Sequence, residues 1–170
     1  SFLRQENAVL KERIDFLEGI PSLRAGMKGE TIIAKMLDGQ ITVHTAPSDV
    51  VLTSGLRIEV KYSRLTTPNL KFTNSKRWNW AHTLGTFGGK AYDRLLLIGE
   101  VDPRFRDFYK DPTSPYVFFD VPFAVVKKIN RKDHMIQITT DPRRKGGGTR
   151  RILFDKHETT VPALKSSYGI

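Results

Sequence analysis

Apolar and polar residues alternate strictly along residues 57–63, RIEVKYS. Because strand side chains point to opposite faces with a period of two, this pattern predicts a β-strand with one polar and one apolar face. The polar face carries Arg57, Glu59, Lys61 and Ser63, and the apolar face carries Ile58, Val60 and Tyr62. The apolar run DVVL precedes it at 49–52, and TSG at 53–55 provides a glycine suited to a three-residue loop. Together these segments predict a β-hairpin.

The predicted loop determines which residues of this hairpin face each other. Counting outward from the loop pairs Leu52 with Leu56, Val51 with Arg57, Val50 with Ile58 and Asp49 with Glu59. Directly opposed Cβ atoms lie about 5 Å apart, and like charges there are destabilising. We therefore expect a positive group between the two acids, or one protonated acid. The alternative is a solvated strand face on which Asp49 merely starts a strand.

Divalent metal binding explains two opposed carboxylates most simply. Carboxylate oxygens at this separation suit a hard cation such as Mg²⁺, which needs only one or two protein carboxylates. Lys61 follows Glu59 on the same face, where it would reach the oxygens bound by the metal. Glu30 shares a helical stripe with Ile33, Ala34 and Leu37 in the predicted helix of 26–37, and it is a further candidate ligand through a metal-bound water. The alternative for Glu30 is an ion pair with a basic neighbour.

The first 20 residues have a heptad pattern. Leucines recur every seven residues, and the intervening seam positions are Asn7 and Ile14. This pattern indicates either a coiled coil, in which a seam Asn favours two strands, or an amphipathic helix that packs on its own domain. Gly19 and Pro21 end the helix.

The rest of the chain alternates strands and helices. The patterns predict strands at ITVHTA, YDRLLLIG and YVFFDV, helices over 75–84 and over PFAVVKKI from Pro122, and a second hairpin of HMIQITT and TRRILF joined by DPRRKGGG. YDRLLLIG has the continuous apolar run of a buried parallel strand. The prediction is one α/β domain over residues 22–170, with a core at about 26–99 and a peripheral extension at about 100–170, preceded by a helical segment over 1–20.

Composition adds a strong positive charge. Lys and Arg exceed Asp and Glu by 28 − 18 = +10, and the pI is about 9.9, which favours a polyanionic partner. The absence of cysteine excludes disulfides, thiolate zinc sites and cysteine nucleophiles. Apolar runs are too short to cross a membrane and no signal peptide is visible, so we expect a cytoplasmic protein. The first residue is Ser rather than Met, which suggests a piece of a longer chain.

The segment GMKGE, followed by Asp49 and, after nine residues, by Glu59-Val60-Lys61, resembles the PD-(D/E)XK nuclease superfamily. Pro47 departs from the motif, because Ser48 separates it from Asp49. The resemblance covers about residues 26–99 and implies a restriction-endonuclease-like fold, with a mixed central sheet flanked by helices in an αβββαβ core. To this core the prediction adds the N-terminal coiled-coil-like helix and the C-terminal hairpin extension.

The same resemblance implies a Mg²⁺-dependent endonuclease, in which Mn²⁺ can replace Mg²⁺. Asp49 and Glu59 would hold the metal. Lys61 would orient or deprotonate the attacking water, or stabilise the transition state, and Glu30 would complete the site. We expect a homodimer, joined through the N-terminal helix, that cuts double-stranded DNA as type II restriction enzymes do. A non-catalytic DNA-binding module and a junction-resolving or homing-type nuclease are the alternatives.

Two further regions combine cations with aromatic residues or with glycine. The candidate DNA contacts are Lys71, Lys76, Arg77, Trp78, Arg143, Arg144, Lys145, Arg150 and Arg151. Cations, amides and aromatic rings are the groups that contact phosphates and bases. The alternatives are tryptophans buried in the core and, around the GGG triplet, a solvated loop. The four histidines are scattered and lack metal-ligand spacing.

Overall fold

A computed structural model of the chain shows a mixed α/β architecture. It describes residues 4–5, 29, 31–33, 41–43, 49–67, 76–85, 89–129, 135–144 and 155–169. None of the helices in these ranges is long and apolar enough to span a membrane.

A six-stranded sheet forms the centre of the described structure, in the order β1-β2-β3-β5-β6-β8. Its strands are β1 (Ile41–Val43), β2 (Asp49–Leu52), β3 (Arg57–Ser63), β5 (Arg94–Glu100), β6 (Tyr116–Pro122) and β8 (Glu158–Thr159). Strands β3 and β5 pair in parallel, and the other neighbours are antiparallel. The remaining strands, β4 (Arg77–Trp80) and β7 (Ile136–Thr139), form a separate antiparallel pair, which we call the β4–β7 ribbon.

Three helices have defined bounds: a 3₁₀ helix (Pro103–Phe108), α1 (Phe123–Ile129) and α2 (Val161–Ser167). Residues 29 and 31–33 are also helical. Pro122 is the last residue of β6, so the predicted helix begins one residue later than expected.

The sheet is covered on both faces, which explains the nearly continuous burial of β3, β5 and β6. One face packs Ile58 and Val60 against Ile33 and against Leu164 of α2. The opposite face packs Leu95, Leu97 and Phe119 against the tryptophans of the β4–β7 ribbon. Glu59 and Lys61 lie on this second face, because they are in register with Leu95 and Leu97 of β5.

The hairpin prediction is confirmed in its register. Asp49 pairs with Glu59, and the two pairs nearer the loop also match. Gly55 has φ +88°, the left-handed conformation that the three-residue loop requires of it. The strand predicted at YDRLLLIG is also confirmed, with the expected parallel partner.

The helix predicted over 75–84 is wrong, because residues 77–80 form β4. The sequence RWNW alternates with a period of two. Trp78 and Trp80 are buried, whereas Asn79 is exposed and Arg77 half-buried. The mixed α/β class is confirmed, and the described part of the β3–β5 crossover contains the strand β4 where the predicted αβββαβ core has a helix.

The second predicted hairpin is described only in part. HMIQITT contains β7 as expected, and β7 pairs with β4. Its predicted partner at TRRILF lies outside the described residues. So does most of the segment 1–20 that was predicted to be a helix, and its two described residues, 4–5, are helical.

Candidate active site

Glu59 lies at the centre of the candidate site, in the middle of β3. Its side chain is fully buried, with an exposed fraction of 0%, on the face of the sheet that also carries Leu95 and Leu97. A buried carboxylate is costly unless opposite charges and hydrogen bonds compensate it. The neighbourhood of Glu59 must therefore provide positive charge.

Two lysines provide it. Lys61 Nζ lies 3.0 Å from Glu59 Oε1, and Lys90 Nζ lies 2.6 Å from Glu59 Oε2. The lysine side chains are 21% and 22% exposed, so their ammonium groups separate the carboxylate from solvent. We call these three residues the Glu59 cluster.

Lys90 is held close to Leu84 and Gly85. The backbone N–H of Lys90 donates to the carbonyl of Leu84 over 2.9 Å. Gly85 has φ +79°, and a Cβ there would lie 3.0 Å from the Cβ of Lys90. Position 85 therefore favours glycine on both counts, and these contacts help to position Lys90.

Tyr92 borders the cluster. Burial raises the pKa of its phenol, and the negative charge of Glu59 raises it further, so the hydroxyl stays protonated at neutral pH. The hydroxyl donates to the carbonyl of Thr83, which ties the loop to the strand. Tyr92 therefore lies beside Glu59 as an uncharged phenol.

Asp49 lies directly across from Glu59 in the β2–β3 pairing. The strand position of Asp49 is described, but its side chain and the whole of Glu30 lie outside the described residues. Among the described residues, no three His, Asp or Glu side chains converge as a metal site. Carboxylate oxygens are the ligands that a hard divalent ion prefers, and Asp49 occupies the strand position opposite Glu59. Both oxygens of Glu59 lie beside lysine ammonium groups, so a bound ion would have to displace at least one of them.

Sequence reasoning missed Lys90. It follows Gly88-Gly89, which the sequence indicates only as a turn, and it is 31 residues away from Glu59 along the chain (90 − 59). Only the parallel crossover from β3 to β5 brings the two together. The sequence offers one weak indication of this contact, which is that Lys90 shortly precedes the buried parallel strand β5.

The predicted DNA contacts fall into four groups. Trp78 is fully buried, and its Nε1 donates to the carbonyl of Glu100 over 2.8 Å. This placement corrects the expectation that Trp78 lies on the contact surface, because its ring is a core group. Lys76 and Arg77 are half-buried at the start of the β4–β7 ribbon. Four residues lie outside the described ranges: Lys71, Lys145, Arg150 and Arg151.

Arg143 and Arg144 are both exposed. The Arg143 guanidinium lies 4.9 Å from the centre of the Phe108 ring and pairs with Asp141 at 3.1 Å. Phe108 is 55% exposed, so Arg143 and Phe108 form a stacked pair at the surface. The sequence alone does not indicate this pairing.

No protein-family model, no curated protein and no solved structure matches this chain. The resemblance to the PD-(D/E)XK superfamily therefore depends on the residues of the β2–β3 hairpin and their register.

Proposed function

We propose that the protein is a metal-dependent DNA endonuclease. The observation that supports this most is the register of the β2–β3 hairpin, which puts Asp49 opposite Glu59 and leaves Lys61 paired to Glu59 at 3.0 Å. Two acids and a lysine in this arrangement match the chemistry that hydrolysis of a phosphodiester requires.

Asp49 and Glu59 would hold the ion, Mg²⁺ or Mn²⁺. When bound, such an ion polarises the phosphate, lowers the pKa of a water and neutralises developing charge. Glu30 is a third candidate acid in this proposal.

Lys61 and Lys90 would act on the substrate. Both ammonium groups are partly exposed and lie within ion-pair distance of the same carboxylate. Each ammonium group would donate a hydrogen bond to a phosphate oxygen or to the attacking water. Lys61, on the same strand as Glu59, would orient that water.

Digestion of supercoiled plasmid in Mg²⁺ tests this proposal. The native chain should nick or linearise the plasmid, and chelation with EDTA should stop the reaction. Lys61→Ala and Asp49→Ala should each slow cleavage at least about a hundredfold, equivalent to about 3 kcal/mol of transition-state stabilisation. Equal cleavage by all three proteins would refute the proposal, and sequencing the ends would show whether cutting is site-specific.

A DNA-binding module without catalysis is the second candidate. It is favoured by one specific observation, which is that Glu59 is already neutralised by two lysines and does not require a metal for charge balance. Calorimetric titration with Mn²⁺ separates the candidates. A nuclease should bind the ion and lose that binding in Glu59→Gln, whereas a module should bind duplex DNA and no ion.

The restriction-enzyme version of the proposal also includes a homodimer joined through residues 1–20. Two copies of the site would then cut both strands. A junction-resolving enzyme would instead bind branched DNA more tightly than a linear duplex of the same sequence, which a competition assay measures directly.

A further inference from the structure

The β4–β7 ribbon has two chemically different faces. Its inner face buries the large apolar side chains Trp78, Trp80, Ile136 and Ile138. Its outer face carries Arg77, Asn79, Gln137 and Thr139, of which Asn79 is exposed, Arg77 and Gln137 are half-buried and Thr139 is buried. Asn79 and Gln137 are directly paired across the two strands, so the two amides stand side by side.

Hydrogen bonds and close packing anchor the ribbon to the sheet. The indole N–H groups of Trp78 and Trp80 donate to the carbonyls of Glu100 and Ile98, over 2.8 and 3.0 Å. Trp78 also lies so close to Gly99 that no Cβ would fit between them. The outer face is therefore presented on a rigid support, which lowers the entropy cost of binding through it.

The ribbon lies on the same face of the sheet as the Glu59 cluster. The backbone N–H of Asn79 donates to Ser63 Oγ over 2.8 Å, and Ser63 is two residues beyond Lys61 on the same face of β3. At the same edge of β4, Arg77 exchanges two backbone hydrogen bonds with Thr66, which follows β3. A ligand large enough to reach from the Glu59 cluster to the ribbon would contact Lys61 and the outer face of the ribbon together.

The side chains of this face have the chemistry of base recognition. Asn and Gln can form bidentate hydrogen bonds with adenine, and Arg can do so with guanine. The major groove of B-form DNA is about 12 Å wide and admits a two-stranded ribbon. A hydrogen bond of 3.3 Å from Arg77 Nη1 to Gln137 Oε1 links these two side chains. The bond uses the amide oxygen of Gln137 and does not use its amide nitrogen.

We propose that the outer face of the β4–β7 ribbon recognises base edges in the major groove of duplex DNA through Asn79 and Gln137, with Arg77 as their neighbour. This inference rests on the proposed function, since it assigns the sequence preference of the same DNA that the Glu59 cluster cuts. The protein's charge of +10 favours a DNA partner, and A-form RNA is excluded because its deep, narrow major groove does not admit a ribbon.

Selection from a random duplex DNA library, without divalent metal, tests the inference by binding alone. The native chain should enrich a preferred sequence. Asn79→Ala and Gln137→Ala should each reduce the preference at one or two base positions by about ten- to hundredfold, while binding of unrelated duplex changes little. Asn79→Asp keeps the side-chain shape and exchanges a donor for an acceptor, so it should change the preferred base or abolish the preference.

Ser167→Ala, on α2 and thus on the opposite face of the sheet, is the control and should keep the native preference. The inference is overturned if the native chain enriches no sequence, if all variants keep its preference, or if duplex RNA binds more tightly than duplex DNA. The selection measures binding and needs no cleavage. A native chain that does not cut DNA would therefore refute the nuclease proposal, and the selection would still test base recognition by the ribbon.

Discussion

At the scale of single residues, the Glu59 cluster shows which contacts a sequence reveals. The pairing of Asp49 with Glu59 follows from a three-residue loop and strand alternation, which are local features. Lys90 reaches Glu59 only through the parallel crossover between β3 and β5, and no local pattern indicates that contact. The sequence therefore predicted two acids and a lysine, and the structure added a second lysine.

Lys90 should contribute to stability because it compensates a buried charge. In Lys90→Ala, Glu59 keeps Lys61 as a partner and loses the ammonium group at 2.6 Å. We expect a decrease of about 1–3 kcal/mol in the free energy of unfolding, measured by urea denaturation. Lys128→Ala, at an exposed position of α1, should change it by less than about 0.5 kcal/mol. Equal effects of the two substitutions would contradict this account of Lys90.

His157 should make stability depend on pH. Burial lowers its pKa, and the positive charges of Lys156 and Arg94 lower it further, although Asp120 opposes them. Because the folded-state pKa lies below the unfolded value of about 6.5, the unfolded state binds more protons as the pH falls below that value. Above about pH 6.5 the imidazole of His157 is neutral in both states and does not lower the free energy of unfolding. As the pH falls from there toward the folded-state pKa, the free energy of unfolding decreases.

Urea midpoints at pH 8 and pH 5.5 measure this effect. The native chain should lose more stability between these pH values than His157→Gln, in which the titrating imidazole is absent. If the two proteins lose the same amount, His157 is not responsible for the pH dependence.

At the scale of elements, β4 shows why a strand was mistaken for a helix. Residues 77–80 are a short strand, and the sequence around them is rich in polar residues that suit either structure. Its identity depends on long-range partners, namely β7 and the tryptophan contacts with β5. The strands β3, β5 and β6 were predictable because their apolar patterns are longer and their burial is nearly continuous.

Gly99 should be essential for seating the ribbon on the sheet. A Cβ at this position would lie 2.5 Å from Trp78 Cε2, so Trp78 must move in Gly99→Ala. We expect a loss of at least about 1–3 kcal/mol in the free energy of unfolding, as for other overpacked cores, together with a change in tryptophan fluorescence.

Gly89→Ala is the matched control. No atom lies within 4 Å of a Cβ there and the backbone conformation needs no glycine, so its stability should be close to native. Similar stabilities of the two alanine variants would show that the ribbon is not held as described.

At the scale of the whole molecule, charge and architecture were accessible from the sequence. The mixed α/β sheet and the excess of ten positive charges follow from strand patterns and composition. The ribbon lies beside Lys61 because distant segments of the chain contact each other, as in the hydrogen bond from Asn79 to Ser63. Sequence patterns do not predict such contacts. The proposed activity depends on that common face, which would unite the proposed hydrolytic site with the proposed DNA-binding surface.

The central claim is that Glu59 serves a metal-dependent hydrolytic site and is more than a structural ion pair. The most direct test is the single-turnover rate of Mg²⁺-dependent plasmid cleavage by Glu59→Gln, with folding checked by circular dichroism at the assay temperature. Asp93→Asn is the control, because the Asp93 carboxylate accepts a hydrogen bond from the backbone N–H of Arg57, and an amide oxygen can accept the same bond. We expect a loss of at least about a hundredfold in Glu59→Gln and a near-native rate in the control. A folded Glu59→Gln protein that cleaves as fast as the native chain would contradict the account.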